Sequence, residues 1–203
     1  MPPFDPAHAA RWPAVIGVDE VGRGALCGPV VVAAVWFEPT ALPAALLGAL
    51  DDSKKLRATV RDRLAVEIAQ VARVRLAAAS AAHVDRRGIR TMTLDAMRRA
   101  AEGLALDARV VVDGKDVPPG LTLACEACVK GDATVPQIAA ASIVAKACRD
   151  RLLARLAGRY PAYAWERNAG YGTADHLDAL ARLGPTRHHR RSFAPVSQHA
   201  LAL

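Results

Sequence analysis

The segment from Val15 to Gly24 constrains the fold of this chain more than any other. A run of apolar residues ends in two adjacent carboxylates, Asp19 and Glu20, and Gly22-Arg23-Gly24 follows. The apolar run predicts a strand. Carboxylates at a strand end are typical ligands of Mg²⁺ or Mn²⁺, and a glycine-rich turn with an arginine is typical of phosphate contacts. The segment indicates phosphoryl-transfer chemistry, although a solvated turn after an edge strand is an alternative for it alone.

The rest of the chain mixes strand and helix patterns. The predicted strands are Val15–Asp19, Val30–Phe37, Arg73–Ala79, Arg109–Asp113 and Leu123–Val129. The predicted helices are Arg57–Val71, Thr93–Leu106, Pro136–Tyr160 and Asp175–Leu183. Such a mixture predicts an α/β layered fold. With 203 residues, we expect one domain, 1–203, with a C-terminal helical segment at about 174–203.

The composition narrows the class of protein and its partners. Hydrophobic residues make up 52% of the chain, which is enough for a full core. The net charge of +7 favours a polyanion, chiefly nucleic acid or an anionic membrane, although a basic protein without such a partner is an alternative. No apolar run reaches the ~18 residues of a membrane span. Met1 to Pro13 lacks the apolar core of a signal peptide, so we expect a cytoplasmic protein without membrane contact.

Four cysteines, Cys27, Cys125, Cys128 and Cys148, raise the question of zinc or redox chemistry. Cys125 and Cys128 form a single C-x-x-C, and a zinc site needs a second pair of ligands, which the nearby sequence lacks. A reducing compartment argues against structural disulfides. We therefore expect small core cysteines.

Further carboxylates follow other predicted strands. Asp113 ends a second predicted strand, Arg109–Asp113. Neighbouring strands lie ~5 Å apart, so if this strand is adjacent to the first, the Asp113 side chain would lie close to those of Asp19 and Glu20. Asp132 follows the next strand, where it could instead begin a helix. Asp150, within the longest helix, competes for the fourth place, but an ion pair with an adjacent arginine is its ordinary role, and we favour Asp132. Clustered carboxylates repel one another until a divalent cation neutralises them, so metal dependence is expected.

With these residues assembled, the chain resembles the bacterial ribonuclease HII family, the type 2 ribonucleases H. The segments that carry the resemblance are Gly17–Gly24, Asp52–Leu56, Val112–Gly114, Val129–Asp132, Ala140–Lys146 with Arg149-Asp150, Gly170–Thr173 and His188–Phe193. They occur in the family's order and span nearly the whole chain. Each segment is weak evidence alone, but the ordered set is specific.

The resemblance implies a ribonuclease H-like fold, a mixed β-sheet flanked by α-helices with a small C-terminal helical part. It implies a metal-dependent endoribonuclease that cleaves the RNA of RNA–DNA hybrids. It also implies nicking on the 5′ side of single ribonucleotides in duplex DNA, leaving 3′-hydroxyl and 5′-phosphate ends, with a role in ribonucleotide removal during replication and repair. The family's acidic quartet corresponds to Asp19, Glu20, Asp113 and Asp132. With two Mn²⁺ or Mg²⁺ ions, Asp19 would bridge both ions, Glu20 and Asp113 would complete the pair, and Asp132 would bind the ion on the nucleophile side.

The resemblance also assigns contacts with the substrate. Backbone groups of Gly22-Arg23-Gly24 would contact the 2′-hydroxyl, the group that distinguishes a ribonucleotide from DNA. Tyr171 would pack on the neighbouring deoxyribose and hydrogen-bond toward that turn, the alternative being a buried tyrosine that anchors a loop. Ser53, Lys54 and Lys55 precede a predicted helix and would bind phosphate there, the alternative being a solvated run of charges.

Two positions depart from the family's pattern. Ala25 stands where proline is common, and Ala169 stands where lysine is common, which would remove one phosphate contact or shift it to Arg167. Neither change affects the four carboxylates. His188 to Arg191 would contact nucleic acid or pack near the C-terminus.

Three other classes of protein are alternatives. Other metal nucleases of the same fold lack a reason to select ribose, which Gly-Arg-Gly and Tyr171 supply. Ribonuclease HIII carries an N-terminal substrate-binding domain, and here the first strand begins by about Val15. A binding module without catalysis has no use for four converging acids, which would repel nucleic acid. We expect a monomer, and Gln198 alone does not identify a protein partner such as a sliding clamp.

Overall fold

A computed structural model of the chain describes Phe4 and residues 14–200. Apart from Phe4, the Met1–Pro13 segment lies outside the described residues, as do the last three residues of the 174–203 segment. The strands are β1 (Ile16–Val21), β2 (Val30–Trp36), β3 (Arg73–Ala79), β4 (Val110–Asp113) and β5 (Cys125–Cys128). The helices are α1 (Ala44–Ala49), α2 (Ala58–Val71), α3 (Ala81–Arg87), α4 (Ile89–Glu102), α5 (Pro136–Ala157), α6 (Trp165–Asn168), α7 (Ala174–Leu183) and α8 (Ala194–Ala200).

The strands of the described residues form one mixed sheet of five, in the order β3-β2-β1-β4-β5. The first three strands along the chain pair antiparallel, as expected for consecutive strands joined without a crossover helix. Strand β4 then pairs parallel with β1, and β5 pairs parallel with β4. Strand β1 is therefore central, and its neighbour β4 ends at the same edge of the sheet.

Helices cover both faces of this sheet. On one face, the small side chains Ala33 and Val35 of β2 pack against α2 and α5. On the other face, Val18 of β1 and Val112 of β4 pack against apolar residues of α4 such as Met97. The near-continuous apolar sequence of β2 reflects its burial on both sides.

Helix α5 lies unusually close to the central strand. A Cβ at Gly17 would lie 2.3 Å from the backbone carbon of Gln137, so only glycine permits this approach. The facing part of α5 is a run of buried alanines, Ala139 to Ala141. Small residues on both elements bring the helix backbone close to the strand that carries Asp19 and Glu20.

The predicted α/β layering is confirmed, with differences at the ends of elements. The helix predicted at Thr93–Leu106 begins earlier, at Ile89, and ends at Glu102, because glycines at 88 and 103 flank it. The longest helix ends at Ala157, since Gly158 follows and the chain turns into Pro161–Tyr163. The periodicity of the sequence does not predict helices α1, α3 and α6. The Ser80 hydroxyl, which caps α3 by accepting from the His83 N–H, is a signal that could have revealed that helix.

The C-terminal helical part contains α7 and α8. They pack beside Trp165 and Leu26 in small apolar clusters separate from the main sheet core. In the part of the chain that the structure describes, no helix combines the length and apolar character needed to cross a membrane.

Candidate active site

The ends of the two central parallel strands bring the first carboxylates together. Val18 of β1 pairs with Val112 of β4, so Asp19 and Asp113, the next residue in each strand, lie at the same edge of the sheet. The backbone N–H of Gly131 donates to Asp113 Oδ1 at 2.8 Å, which ties the following turn to this edge. That turn, Gly131–Ala133, carries Asp132.

A cleft of about 600 Å³ opens at this edge. All four predicted carboxylates line it, Asp19, Glu20, Asp113 and Asp132. Lys54 and Tyr171 line the same cleft. The structure therefore brings the predicted acids, two of the three residues predicted to bind phosphate (Ser53 and Lys54) and the predicted sugar-packing residue into one space.

The carboxylates perturb one another. Burial raises the pKa of Asp19 well above its ordinary value, and repulsion from Glu20 and Asp113 adds to the effect. Burial also raises the pKa of Glu20, against an opposing attraction from Arg23. The pKa of Asp132 is raised by burial first and by Asp113 second. Negative charge in this cleft is therefore held at a cost that a bound cation would relieve.

The donor chemistry of the cleft fits hard divalent cations. All four acidic side chains offer oxygen ligands, which Mg²⁺ and Mn²⁺ prefer. Among the described residues, no three His, Cys, Asp or Glu side chains already form a compact group that could hold a metal ion. Burial, with a smaller contribution from Asp113, raises the pKa of both Asp19 and Glu20, and a divalent cation would favour their charged forms.

Hydrogen bonds from a backbone N–H and from a hydroxyl group stabilise the Asp19 carboxylate. The backbone N–H of Glu20 donates to Asp19 Oδ1 at 2.7 Å, and a hydrogen bond with the Ser142 hydroxyl also favours the charged form of Asp19. A hydrogen bond of 2.7 Å also joins the Ser142 and Ser53 hydroxyl oxygens. Ser53 is buried, with 3% exposure. Ser53 nevertheless lines the cleft beside Lys54, and its predicted contact with phosphate stays a prediction.

The Gly22-Arg23-Gly24 turn follows β1 directly beside the acids. Gly22 has φ +89°, and a Cβ there would lie 2.1 Å from Nε of Arg149, so the turn needs glycine for both its conformation and its packing. The Arg23 side chain points to solvent and pairs with Glu20 at 3.4 Å. Gly24 has open space around it, where another molecule could approach the backbone.

Tyr171 lies in the cleft, 37% exposed, which rules out the alternative of a buried anchor. The predicted hydrogen bond from its hydroxyl to the glycine turn is not formed within residues 14–200. Instead, the Arg149 guanidinium lies 5.6 Å from the centre of its ring, a cation–π distance.

The Ser53–Lys55 segment lies in a turn, and helix α2 begins only at Ala58. The backbone N–H of Lys54 donates to the Asp52 carboxylate at 3.0 Å, so a free helix N-terminus does not contribute here. The two lysines differ, because Lys54 lines the cleft whereas Lys55 pairs with Asp51 at 3.0 Å.

Asp150, the competing fourth acid, has other partners. It pairs with Arg61 at 2.8 Å and Lys146 at 2.6 Å, and not with an adjacent arginine as expected. Asp132 lines the cleft with the other acids, so the geometry favours it over Asp150.

Sequence reasoning missed two buried arginines behind the cleft. Arg149 and Arg190 both have 0% exposure. Arg149 belongs to a segment that carried the family resemblance, and Arg190 to another, but buried arginine resembles surface arginine in sequence. The segment from His188 to Arg191 is expected from the sequence either to contact nucleic acid or to pack near the C-terminus. His189 and Arg190 are buried, so these two residues pack within the protein.

The cysteines are free thiols, and the expectation of core cysteines holds only in part. Cys27 is buried, and burial raises the pKa of its thiol to about 12. Cys125, Cys128 and Cys148 are half-buried. Cys125 and Cys128 lie three residues apart in a strand, so their side chains point to opposite faces.

Comparison with known proteins places this geometry in a family context. A sequence model of ribonuclease HII matches residues 16–196. A ribonuclease HII from Paramagnetospirillum magneticum is 53% identical over 188 residues, 92% of this chain and 93% of that protein. A ribonuclease HII from Rhizobium meliloti is 50% identical over 203 residues, 98% of this chain and 92% of that protein.

Solved structures give the same picture for the fold. A chain of the PCNA:RNase HII complex from Archaeoglobus fulgidus superposes with a TM-score of 0.76 at 27% identity, covering 90% of this chain and 95% of that one. Ribonuclease H2 from Pyrococcus horikoshii gives 0.79 at 23% identity, covering 93% and 97%. Bst-RNase HIII in complex with Mn²⁺ gives 0.74 at 18% identity, covering 96% and 72%. These likenesses confirm the predicted ribonuclease H-like fold.

Proposed function

Because the chain belongs to the ribonuclease HII family, hydrolases that cleave RNA in RNA–DNA hybrids, we propose that it also nicks duplex DNA at single embedded ribonucleotides. The nick lies on the 5′ side of the ribonucleotide and leaves 3′-hydroxyl and 5′-phosphate ends. The observation that carries this proposal is the cleft lined by four carboxylates and Tyr171, with the glycine turn beginning directly after Val21, which also lines it.

Divalent cations complete the site in this proposal. Asp19 would be a ligand shared by two ions, Glu20 and Asp113 would complete the binding of the pair, and Asp132 would hold the ion on the nucleophile side. When bound, Mg²⁺ or Mn²⁺ supplies Lewis-acid stabilisation of the scissile phosphate and favours deprotonation of the attacking water. The raised pKa of Asp19 and its position at a sheet edge support this assignment.

Selection of ribose depends on the glycine turn beside the acids and on Tyr171. The backbone of Gly22-Arg23-Gly24 contacts the 2′-hydroxyl, and the open space at Gly24 supports such an approach. Tyr171 packs on the deoxyribose that follows the ribonucleotide, using its exposed ring. Lys54 and Lys55 bind the phosphate backbone near the buried Ser53.

The biological setting follows from this activity. We expect a monomeric, single-domain enzyme in the cytoplasm that acts in the removal of ribonucleotides from DNA. Its partners are RNA–DNA hybrids and duplex DNA that contains ribonucleotides.

The first experiment uses a DNA duplex with one embedded ribonucleotide, labelled at its 5′ end. The protein is incubated with it in Mg²⁺ or in Mn²⁺, beside an all-DNA duplex of the same sequence. We expect one nick 5′ to the ribonucleotide, with ends of the stated chemistry, and no cleavage of the all-DNA duplex. Folded protein that binds both duplexes and cleaves neither would refute the proposal in favour of a binding module.

A matched pair of variants decides the fourth acid in the same assay. Asp132→Asn is expected to lower the cleavage rate by about 100-fold or more, since losing one negative charge that would hold a cation removes several kcal/mol of stabilisation. Asp150→Asn removes an equally charged side chain that is already paired with Arg61 and Lys146. Equal losses in the two variants, or a larger loss in the second, would remove Asp132 from the quartet.

A further inference from the structure

Two buried guanidinium groups hold the loops on the ribose side of the cleft. Arg149 donates to the carbonyls of Pro29 at 2.9 Å, Cys27 at 2.9 Å and Ala169 at 2.7 Å. Its three nitrogen atoms thus join the segment after the glycine turn to the segment before Tyr171. A lysine, with one nitrogen, could not satisfy three carbonyls in this fixed geometry.

Arg190 makes the corresponding contacts on the turn itself. Its Nη1 donates to the carbonyl of Arg23 at 2.8 Å, the central residue of the turn. Its Nε and Nη2 both donate to the carbonyl of Gly28, at 3.2 and 3.0 Å. The guanidinium packs on the ring of Phe193 at 5.1 Å, which fixes its plane.

This arrangement is costly for the fold. Within the described residues, neither arginine forms an ion pair, and both side chains are fully buried. Burial lowers the pKa of Arg149, and burial together with repulsion from Arg149 lowers that of Arg190 to about 10. Neutral side chains could fill the same space at lower cost, because desolvating two like charges opposes folding. Such a cost is typical of a constraint kept for function.

The two loops are also bonded to each other. The N–H of Leu26 donates to the carbonyl of Gly170 at 2.8 Å, and the N–H of Arg190 donates to the carbonyl of Leu26 at 2.8 Å. Arg149 lies beneath the ring of Tyr171 at 5.6 Å. Its Nε also fills the space that a Cβ at Gly22 would need. One guanidinium therefore touches both predicted ribose-contacting elements.

We propose that Arg149 and Arg190 are positioning residues that fix the spacing between the Gly22-Arg23-Gly24 turn and Tyr171, and thereby set the preference for a ribonucleotide followed by a deoxyribonucleotide. The proposal rests on the function proposed above. Neither arginine touches the substrate. They act through the carbonyls that they hold and through the ring that Arg149 supports, so a small displacement of either loop changes the fit of two adjacent sugars.

The test compares two substrates for each variant. One is a DNA duplex with a single ribonucleotide, which presents the ribose–deoxyribose junction, and the other is a strand of RNA paired with DNA. Arg149→Lys and Arg190→Lys keep the positive charge but lose the planar set of N–H donors of the guanidinium. We expect the ratio of kcat/KM for the junction to kcat/KM for the hybrid to fall by about 10-fold or more, since misplacement of about 1 Å is costly in rate. A general loss of folded protein lowers both values and leaves the ratio unchanged.

The matched control is Arg151→Lys, on the same helix as Arg149. Arg151 is exposed and pairs with Asp62 at 3.1 Å. We expect its ratio to equal that of the unmodified protein. Ratios unchanged in Arg149→Lys and Arg190→Lys as well would overturn the proposal.

Tyr171→Ala separates a failure of this proposal from a failure of the proposed function. If the unmodified protein does not nick at the ribonucleotide, the proposed function fails. If Tyr171→Ala lowers the junction ratio while both folded lysine variants leave it unchanged, only the positioning role fails.

A second measurement avoids any arginine variant. Protein that carries Asp113→Asn and ¹⁵N-labelled arginine is titrated with the junction duplex and with the all-DNA duplex, and the Nε–H resonances of Arg149 and Arg190 are followed by NMR. We expect both resonances to shift with the junction duplex and to shift less with all-DNA. Resonances that respond equally to both duplexes, or to neither, would overturn the proposal.

Discussion

The two sides of the cleft hold charge in opposite ways. On one side, Asp19, Glu20 and Asp113 share a cleft, and burial and mutual repulsion raise the pKa of Asp19 and that of Glu20. On the other side, Arg149 and Arg190 are fully buried, and each of their guanidinium nitrogens donates a hydrogen bond to a backbone carbonyl. A bound cation would therefore offset the charge of the acids, whereas the arginines already have hydrogen-bond partners within the protein. Changes to the acids should alter activity more than stability, and changes beside the arginines should alter stability first.

The largest expected effect tests the acidic side. Asp113→Asn keeps the side-chain shape and can still accept the Gly131 N–H bond, but removes one negative charge. We expect cleavage of the ribonucleotide-containing duplex to fall by about 1,000-fold, because several kcal/mol of cation-mediated stabilisation are lost. Binding of the duplex, measured by anisotropy, should be retained or tighter, since less negative charge faces the phosphates.

The midpoint of thermal unfolding is the second measurement on this variant. It should not fall, because removing one of several repelling acids relieves strain within the cleft. A variant that loses activity and stability together would mean that Asp113 is structural, and the contrast between the two sides of the cleft would disappear.

The next effect tests the contacts of Arg149 by comparing the stability of alanine variants at two glycines of the same turn, Gly22 and Gly24. A methyl group at Gly22 would lie 2.1 Å from Arg149 Nε, and the residue has φ +89°, whereas a methyl group at Gly24 would have no atom within 4 Å. We expect Gly22→Ala to lower the free energy of unfolding by on the order of 3 kcal/mol, from backbone strain and overpacking. Gly24→Ala should change it by less than about 0.5 kcal/mol.

Activity per folded molecule should fall in both variants, so Gly24→Ala is the variant that separates activity from stability. Gly24→Ala puts a methyl group where the ribose would approach, so its nicking rate should fall while its stability is unchanged. Urea unfolding and the embedded-ribonucleotide assay check both quantities. Stable and active Gly22→Ala protein would show that the turn and Arg149 are not tightly coupled.

The difference between the two sides also explains what the sequence could predict. A buried strand followed by an acid is a local pattern, and the parallel pairing of β1 with β4 needed only the assumption that these strands are neighbours. The arginine contacts are not local, since Arg149 bonds to a carbonyl 120 residues away and Arg190 to one 162 residues away. No periodicity distinguishes such an arginine from a solvated one. The helix bounds near Gly88 and Gly103 were missed for a simpler reason, because the periodic apolar pattern does not show which glycine ends a helix.

A smaller effect, on stability, concerns the hydrogen bonds that connect the Tyr171 carbonyl to residues near the C-terminus. The Thr186 N–H donates to His189 Nδ1 at 2.9 Å, so His189 Nε2 carries the hydrogen and donates to His176 Nε2 at 3.1 Å. Trp165 Nε1 also donates to His176 Nε2 at 3.0 Å, and His176 Nδ1 then donates to the Tyr171 carbonyl at 2.9 Å. This chain of hydrogen bonds requires both imidazoles to be neutral.

Stability should therefore fall in acid over a defined range. Burial, with repulsion from His176 and His188, lowers the pKa of His189 from 6.5 to about 4. The unfolded chain binds this proton first, so the contribution is complete above pH 6.5, is lost progressively as the pH falls toward 4, and then levels off. We expect a loss of about 2 kcal/mol at pH 5.

Urea unfolding of His189→Gln and unmodified protein between pH 8 and 4 measures this effect. The variant should be less stable at pH 8, because it loses hydrogen bonds, but should lose less on acidification. Carboxylates contribute equally to both proteins, so the difference in slope isolates His189. Parallel stability curves would contradict the neutral, hydrogen-bonded pair.

The smallest effect tests how far the positive charge at the mouth of the cleft serves the substrate. Each lysine that neutralises a phosphate contributes about 0.9 to the slope of log binding constant against log salt concentration. Lys54 lines the cleft, whereas Lys55 is held by Asp51 at 3.0 Å. We expect Lys54→Ala to reduce the slope by close to the full amount and Lys55→Ala to reduce it by less, because Asp51 competes with phosphate for that ammonium group. Each variant should weaken binding to the same extent whatever the base sequence of the duplex. If Lys55→Ala has the larger effect, the turn must rearrange when nucleic acid binds, and the positive charge at the cleft mouth would then be mobile, unlike the fixed pair of arginines behind it.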